Sequence, residues 1–262
     1  MEPILSFVAM FDFLGFKELR RQRGTKGLNE MYNKGFLPFI QHSAAMKGKT
    51  VEVNGQSNYV PDFGAHSIDF RIVSDSVFFF SHGNTFEHFV KIIIASHQLL
   101  CFGFAGHKAP LRGAIGFGDL MFEPNSIWVG SAIEDAYIGE GKQVWSGCSL
   151  TSECEKFVLK EGYIEKWPDF FSEVSKKIDS EEKRKNVEIK KKFLIKCNIP
   201  EQKKSNEGPV IYSNREGYAL DWTLNMYENA SEKGIPDSTN PHAQIIKKNT
   251  IDFEKWARTV NR

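Results

Sequence analysis

The first regular feature of the chain is a nearly unbroken apolar run, Ser6-Phe7-Val8-Ala9-Met10-Phe11-Asp12-Phe13-Leu14, which stops at Gly15-Phe16. A run without polar alternation predicts a strand covered on both faces. Beyond Gly15 the pattern becomes a short amphipathic helix to about residue 23, with Lys17, Glu18, Arg20 and Arg21 around Phe16 and Leu19. Leu28, Met31, Tyr32, Phe36, Phe39 and Ile40 then recur at helical spacing, with Pro38 as a kink or boundary. Residues 47–65 are polar, a loop or a small hairpin containing Val51 and Val53, with Asn54-Gly55 as its turn. Residues 68–73 and 77–80 read as two short strands enclosing Ser74-Asp75-Ser76, a hairpin with Asp75 at its tip. Thr85 is placed to cap a helix over 86–102, whose apolar stripe is Phe86, Phe89, Val90, Ile93, Ile94 and His97. His88 and His97 read as packing or surface residues. Residues 110–118 predict a strand rich in small residues, and 119–122 a return strand. Residues 127–140 begin extended and turn helical at Gly130-Ser131-Ala132, and 143–150 predict another strand. After Thr151 the composition shifts. Residues 176–204 are charge-rich and read as a solvated helix and loop. Val210-Ile211-Tyr212 and 218–222 flank Asn214-Arg215-Glu216-Gly217 as a hairpin, and 251–260 form a terminal amphipathic helix with Phe253, Trp256 and Val260.

The order strand, helices, strand, strand, helix, strand is that of an α+β, ferredoxin-like split βαβ unit. A right-handed crossover makes the first two strands parallel, with the third antiparallel between them. The end of the first strand and the tip of the hairpin then share one sheet edge, so Asp12 and Asp75 are expected to be neighbours. Alone, Asp12 is equally an ordinary cap for the following helix or a carboxylate awaiting a cation. Two convergent carboxylates favour the second, the layout of a two-metal phosphoryl site. The expected division is a catalytic unit over 1–155 and a C-terminal extension over 156–262 packed on it.

Composition narrows the class. Among 262 residues, 41% are hydrophobic and 26% charged, ordinary for a soluble globular protein, and the net charge of +1 argues for neither nucleic acid nor an anionic membrane as partner. The 22 Phe residues imply an aromatic-rich core or subunit interface. The four Cys have neither C-x-x-C nor zinc spacing with the seven His, and read as reduced thiols of a cytoplasmic protein. The apolar run at the start is too short for a signal peptide or a membrane span.

With these elements in place, the motifs resemble the class III nucleotidyl cyclase catalytic domain. Asp12-Phe13-Leu14-Gly15-Phe16 is similar to the family's D-x-x-G-F, Ser74-Asp75 to its second metal Asp, and Arg112-Gly113-Ala114-Ile115 to its R-x-G strand. Within that class, Phe-Asp-Phe-Leu-Gly-Phe, Ser-Asp-Ser, Leu-Arg-Gly-Ala-Ile and the segment Gly130-Ser131-Ala132-Ile133-Glu134-Asp135-Ala136-Tyr137-Ile138-Gly139-Glu140 look like the pyrimidine cyclases of bacterial Pycsar antiphage systems. The resemblance covers about residues 4–150. It implies cyclisation of UTP or CTP to the 3′,5′-cyclic monophosphate with loss of pyrophosphate, in a cytoplasmic homodimer. The product would act as a second messenger on a separate effector protein. It implies two divalent cations, Mn²⁺ or Mg²⁺, at Asp12, Phe13 and Asp75, and phosphates cradled by the backbone of Phe13, Leu14, Gly15 and Phe16.

Four positions depart from the family. Arg71 stands where adenylyl cyclases carry the Lys that reads adenine. It suits the acceptor edge of a pyrimidine, or simply pairs with a nearby acid. The adenine-reading Asp falls on Ile127. The transition-state Asn and Arg fall on Glu134 and Ile138, leaving Arg112 or Lys142 to stabilise charge. Two other readings compete with the uridylate or cytidylate cyclase: a catalytically dead cyclase-like binding domain, and a ferredoxin-like RNA-binding module. The latter needs a basic surface that the chain lacks, and two Asp without metal would repel phosphate.

Overall fold

The computed structural model describes residues 2–46, 48–53, 56–63, 67–106, 110–123, 128–203, 210–226 and 228–260. The elements run β1 (Ile4–Phe13), α1 (Phe16–Met31), a π-helical turn (Tyr32–Phe36), α2 (Leu37–Ala45), β2 (Gly48–Val53), β3 (Gln56–Pro61), β4 (Asp69–Val73), β5 (Ser76–Phe80), α3 (Phe86–Gly106), β6 (Leu111–Phe122), β7 (Trp128–Val129), α4 (Ser131–Lys142) and β8 (Gly147–Leu150). Then follow α5 (Ser152–Lys160), α6 (Tyr163–Lys176), α7 (Glu181–Glu188), β9 (Leu194–Lys203), β10 (Ile211–Leu220), α8 (Ala230–Gly234) and α9 (Pro241–Val260). One mixed sheet has the order β4-β5-β1-β6-β8-β10-β9, with β7 paired to β6; β2 and β3 form a separate hairpin. Its first four strands are the split βαβ unit: β1 lies between β5 and β6, antiparallel to both, and β4 pairs antiparallel with β5. The fold is therefore α+β with a mixed sheet, as the order of elements predicts.

The run of β1 is apolar because both its faces are covered. Phe7, Ala9 and Phe11 point into the main core beside Phe89, Ile92 and Ile93 of α3, while Val8 and Met10 join Phe80, Leu120, Ala132 and Ala136 under α4. Several local expectations change; the terminal helix, for one, begins at Pro241 rather than at 251. The first helix extends to Met31 across a break at Gly24 (φ 62°, ψ 179°). The strand and return strand expected over 110–122 are one strand, β6, registered along all of β1 from Ile4↔Leu120 to Phe13↔Leu111. The hairpin expected at 214–217 is continuous strand, because β10 pairs along its length with β9, a strand hidden in the charge-rich stretch. The apparent turn is two-faced strand polarity: Arg215 holds Glu201 (2.8 Å) and Glu155 (2.9 Å) on one face, and Glu216 meets Lys196 (2.6 Å) on the other. Finally, α3 runs one turn beyond residue 102, to Gly106. Thr85 Oγ1 does accept the His88 amide near its start (3.4 Å). The Asn54-Gly55 turn lies outside the described residues, which form β2 and β3 on either side.

α4 sits close on β6 because Gly116 presents no side chain to it: a Cβ there would lie 2.5 Å from the Ala136 nitrogen and 2.8 Å from the Ala132 oxygen. Gly116→Ala should therefore push α4 off the sheet. The expected loss is about 1–3 kcal/mol in urea unfolding, as for overpacked cores. Among the described residues no helix is long and apolar enough to cross a membrane.

Candidate functional site

The sheet places Asp12 at the end of β1, directly opposite Ser76 of β5 on one side and Arg112 of β6 on the other. The turn from β4 to β5 reverses through Ser74, held at φ 58°, and two hydrogen bonds fix it, one from β1 and one from the π-helical turn. The Phe13 amide donates to the Asp75 carbonyl (3.3 Å), and the Tyr32 hydroxyl to the Ser74 carbonyl (2.6 Å). Asp12 is close enough to Asp75 to feel its charge. Burial, then Glu140, then Asp75 push the Asp12 carboxyl from 3.8 up to about 6, against the pull of Arg112 and a hydrogen bond with Ser76. The Tyr32 hydroxyl is pushed up to about 12, first by burial and then by Asp75 and Asp12.

Glu140 and Tyr32 belong to this site although the motifs do not single them out in it. Glu140 lies two turns beyond Ala132 and one beyond Ala136 on the buried face of α4. A carboxylate on an otherwise apolar stripe was the available signal. It forms a buried ion pair with Arg112, whose Nη1 also donates to the Gln143 carbonyl (3.0 Å). Arg112 therefore stands beside Asp12, but its hydrogen bonds go to Glu140 and Gln143. Glu134 is exposed on α4, as is Ile138 (52%), and Lys142 is exposed at the helix end.

The phosphate cradle expected over Phe13–Phe16 is narrower than four amides. Phe13 N–H is spent on Asp75, and Leu14 N–H donates to the Pro110 carbonyl (3.0 Å). Gly15, at φ 80° and ψ 13°, turns the chain into α1. The left-handed conformation suits glycine, and it leaves the amides of Gly15 and Phe16 as the pair for an anion.

Arg71 lies on the same sheet face two strands away, opposite Phe78, which in turn is opposite Met10. At sheet spacings this sets it roughly 12 Å from Asp12, the scale of a nucleoside. It makes no ion pair among the described residues. Its neighbour Asp69 is bonded to His82 (2.8 Å), so pairing with a nearby acid does not account for Arg71. Ile127, where the adenine-reading Asp would fall, lies outside the described residues.

The donor set suits hard divalent cations. Two carboxylates and the Phe13 main-chain carbonyl offer oxygen only, and Mg²⁺ takes few protein ligands, completing its shell with water and phosphate. A half-buried Asp12 beside two further carboxylates is also where a cation relieves repulsion. Among the described residues no group of three His, Cys, Asp or Glu side chains is arranged as a ligand set.

No protein-family model matches the chain, and no curated protein matches it. Solved structures give distant likenesses. One is the guanylate cyclase domain of RhGC from Catenaria anguillulae in complex with GTP: 11% identity, TM-score 0.43, covering 60% of this chain and 84% of that one. Another is the catalytic core of a rhodopsin-guanylyl cyclase with converted specificity in complex with ATPαS: 9% identity, TM-score 0.47, covering 84% and 97%. A third is the monomeric guanylyl cyclase domain of the RhoGC fusion protein from Blastocladiella emersonii: 12% identity, TM-score 0.42, covering 61% and 90%.

Proposed function

We propose that this chain is a pyrimidine nucleotide cyclase that converts UTP to 3′,5′-cyclic UMP and pyrophosphate. The observation that carries the reading is the convergence of Asp12 and Asp75. The end of β1 and the turn between β4 and β5, far apart in sequence, bring two carboxylates together, and Asp12 ionises only reluctantly there. Asp12, Asp75 and the Phe13 carbonyl hold two divalent cations, Mn²⁺ or Mg²⁺. When bound, the cations acidify the ribose 3′-hydroxyl and neutralise the departing pyrophosphate. Ser76 orients the Asp12 carboxylate by its hydrogen bond. Glu140 and Gln143 keep the Arg112 guanidinium beside Asp12, where it offsets part of the local negative charge. The amides of Gly15 and Phe16 receive the phosphates at the start of α1. Arg71 offers its planar fork to the acceptor edge of the base.

The end of β4 beside this site is open to solvent, with Val73 63% exposed. A second copy of the chain covers it in the homodimer of this reading. The product is a second messenger for a separate effector in antiviral defence, in keeping with the motif set. Cytidylate cyclisation is the near variant, since CTP also presents acceptors to Arg71. A second reading, a catalytically dead cyclase-like domain, is favoured by Glu134 and Ile138, which cannot stabilise a phosphorane-like charge.

Incubation of the purified protein with each of the four NTPs and Mn²⁺, read by mass spectrometry, decides between them. The expected result is a cyclic pyrimidine monophosphate plus pyrophosphate. No product from a folded dimer would sink the enzyme reading in favour of the dead domain.

A further inference from the structure

Arg71 sits on β4, the outermost strand of the sheet at this end. A long side chain on an edge strand has many rotamers, and reading a base requires one. Two contacts restrict it. Nη1 donates to the Phe70 carbonyl (2.7 Å), using one of five donors. The guanidinium carbon lies 4.6 Å from the centroid of the Trp128 ring, within cation–π range.

Trp128 is the fixed member of this pair. Its backbone is registered in β7 opposite Phe122. Its ring packs on Phe80 (4.1 Å) and Phe122 (5.1 Å), and Phe80 is itself buried. Its indole N–H is buried with no hydrogen-bond partner among the described residues. A buried unpaired donor is a cost that phenylalanine would not carry. What the indole adds is the best ring face for a cation, and Arg71 occupies that face.

We propose that Trp128 is a positioning residue that fixes the plane of the Arg71 guanidinium and so sets the selectivity for a pyrimidine base. The inference rests on the reading of the site as a nucleotide cyclase. A guanidinium held over the indole presents its remaining N–H groups in one plane at fixed spacing. An acceptor on the base edge, such as a uracil carbonyl oxygen, then meets one of them at a fixed place. An edge offering a donor at that place leaves both groups unpaired, which is the strongest form of discrimination available to a polar site. A guanidinium free to swing would follow either edge and lose the distinction, while the metal-binding carboxylates stay where they are.

The test uses W128L, W128F, R71A and the R71A/W128L and R71A/W128F pairs in the full chain, with folding checked by circular dichroism. Two readouts are taken for all four bases: kcat and KM with Mn²⁺, and affinity for the 3′-deoxynucleoside triphosphates, which lack the attacking hydroxyl and cannot cyclise. W128L should raise KM and Kd for the preferred pyrimidine about tenfold, change kcat less than about threefold, and leave the other nucleotides nearly unaltered. W128F, with its weaker ring face, should lose about threefold. W128L should add nothing to R71A. Unchanged selectivity in W128L, an equal loss for all four nucleotides, or additive effects in the double variant would overturn the proposal. Should W128L not fold, the threefold loss in W128F, present with Arg71 and absent with R71A, carries the test. Should the wild type form no cyclic product, the cyclase reading fails on its own. The 3′-deoxy affinities then decide: pyrimidine-selective binding erased by W128L upholds the role of Trp128, and equal binding of all four bases by the wild type overturns it.

Discussion

Asp12→Asn will lower cyclic nucleotide formation by about three orders of magnitude or more, yet the metal-free variant will be more stable than the wild type at pH 7.5. The second half of that result distinguishes a functional carboxylate from a structural cap. Asp12 has a folded-state pKa of about 6 against an ordinary 3.8. A carboxyl raised by folding favours the folded state while protonated. That contribution is complete below about pH 4 and is lost as the pH rises through about 6. At pH 7.5 the ionised group therefore opposes folding, and the neutral amide of D12N does not. The rise from 3.8 to about 6 corresponds to at most about 3 kcal/mol. Solvent screening of a half-exposed group brings this nearer to about 1 kcal/mol, or a rise in Tm of about 2–4 °C for a chain of this size. The gain should vanish when the melting is repeated at pH 4. Adding Mn²⁺ should raise the Tm of the wild type and leave D12N unmoved. A D12N protein that is less stable at pH 7.5, or that still responds to Mn²⁺, would return Asp12 to the role of a cap.

How much of this site the sequence discloses depends on what each contact requires. The approach of Asp12 to Asp75 is legible because it needs only the order of elements: once β1, β4 and β5 are recognised, the split βαβ rule puts both residues at one edge. Glu140 was within reach, since its spacing from Ala132 and Ala136 marks the buried face of α4. Tyr32 was not, because its hydroxyl reaches Ser74 only through the π-helical turn over Tyr32–Phe36, which no spacing rule anticipates. The contact of Arg71 with Trp128 depends on a strand of two residues, too short to leave a periodicity. β9 was concealed for a different reason. Its buried positions, Ile195, Cys197, Ile199 and Gln202, alternate for most of its length with exposed or half-exposed residues, but the lysines around them raise the local charge until the alternation reads as a solvated stretch. Only the long partner β10 reveals it, and pairing between distant segments is what a single sequence states least directly.

Trp222→Ala should destabilise the whole chain by about 3–5 kcal/mol and do so in one cooperative transition. Trp222 follows β10 and is fully buried. Its ring stacks on Phe104 of α3 at 4.0 Å and approaches Phe253 of α9 at 6.3 Å. Its carbonyl accepts the Cys101 thiol of α3 (3.5 Å). One residue earlier, the Asp221 carbonyl accepts His97 Nε2 of α3 (2.9 Å). The His97 ring in turn stacks on Phe193 at 3.6 Å, and burial lowers its pKa to about 4, so it stays neutral. Phe104 and His97 belong to the helix that covers β1, whereas Trp222, Phe193 and Phe253 belong to the C-terminal hundred residues. If those residues are an extension packed on the catalytic unit, the cavity left by W222A weakens both at once. Urea unfolding followed by far-ultraviolet circular dichroism and by tryptophan fluorescence should then give coincident curves at a lower midpoint. Trp222→Phe separates packing from chemistry. The indole N–H has no partner among the described residues, so removing it forfeits no hydrogen bond, and the loss should stay below that of W222A by about 2 kcal/mol or more. Two separate transitions in W222A, with the fluorescence change preceding the other, would mean that the C-terminal part folds on its own account. The rigidity of α3 behind Asp12 would then come from the first half of the chain alone.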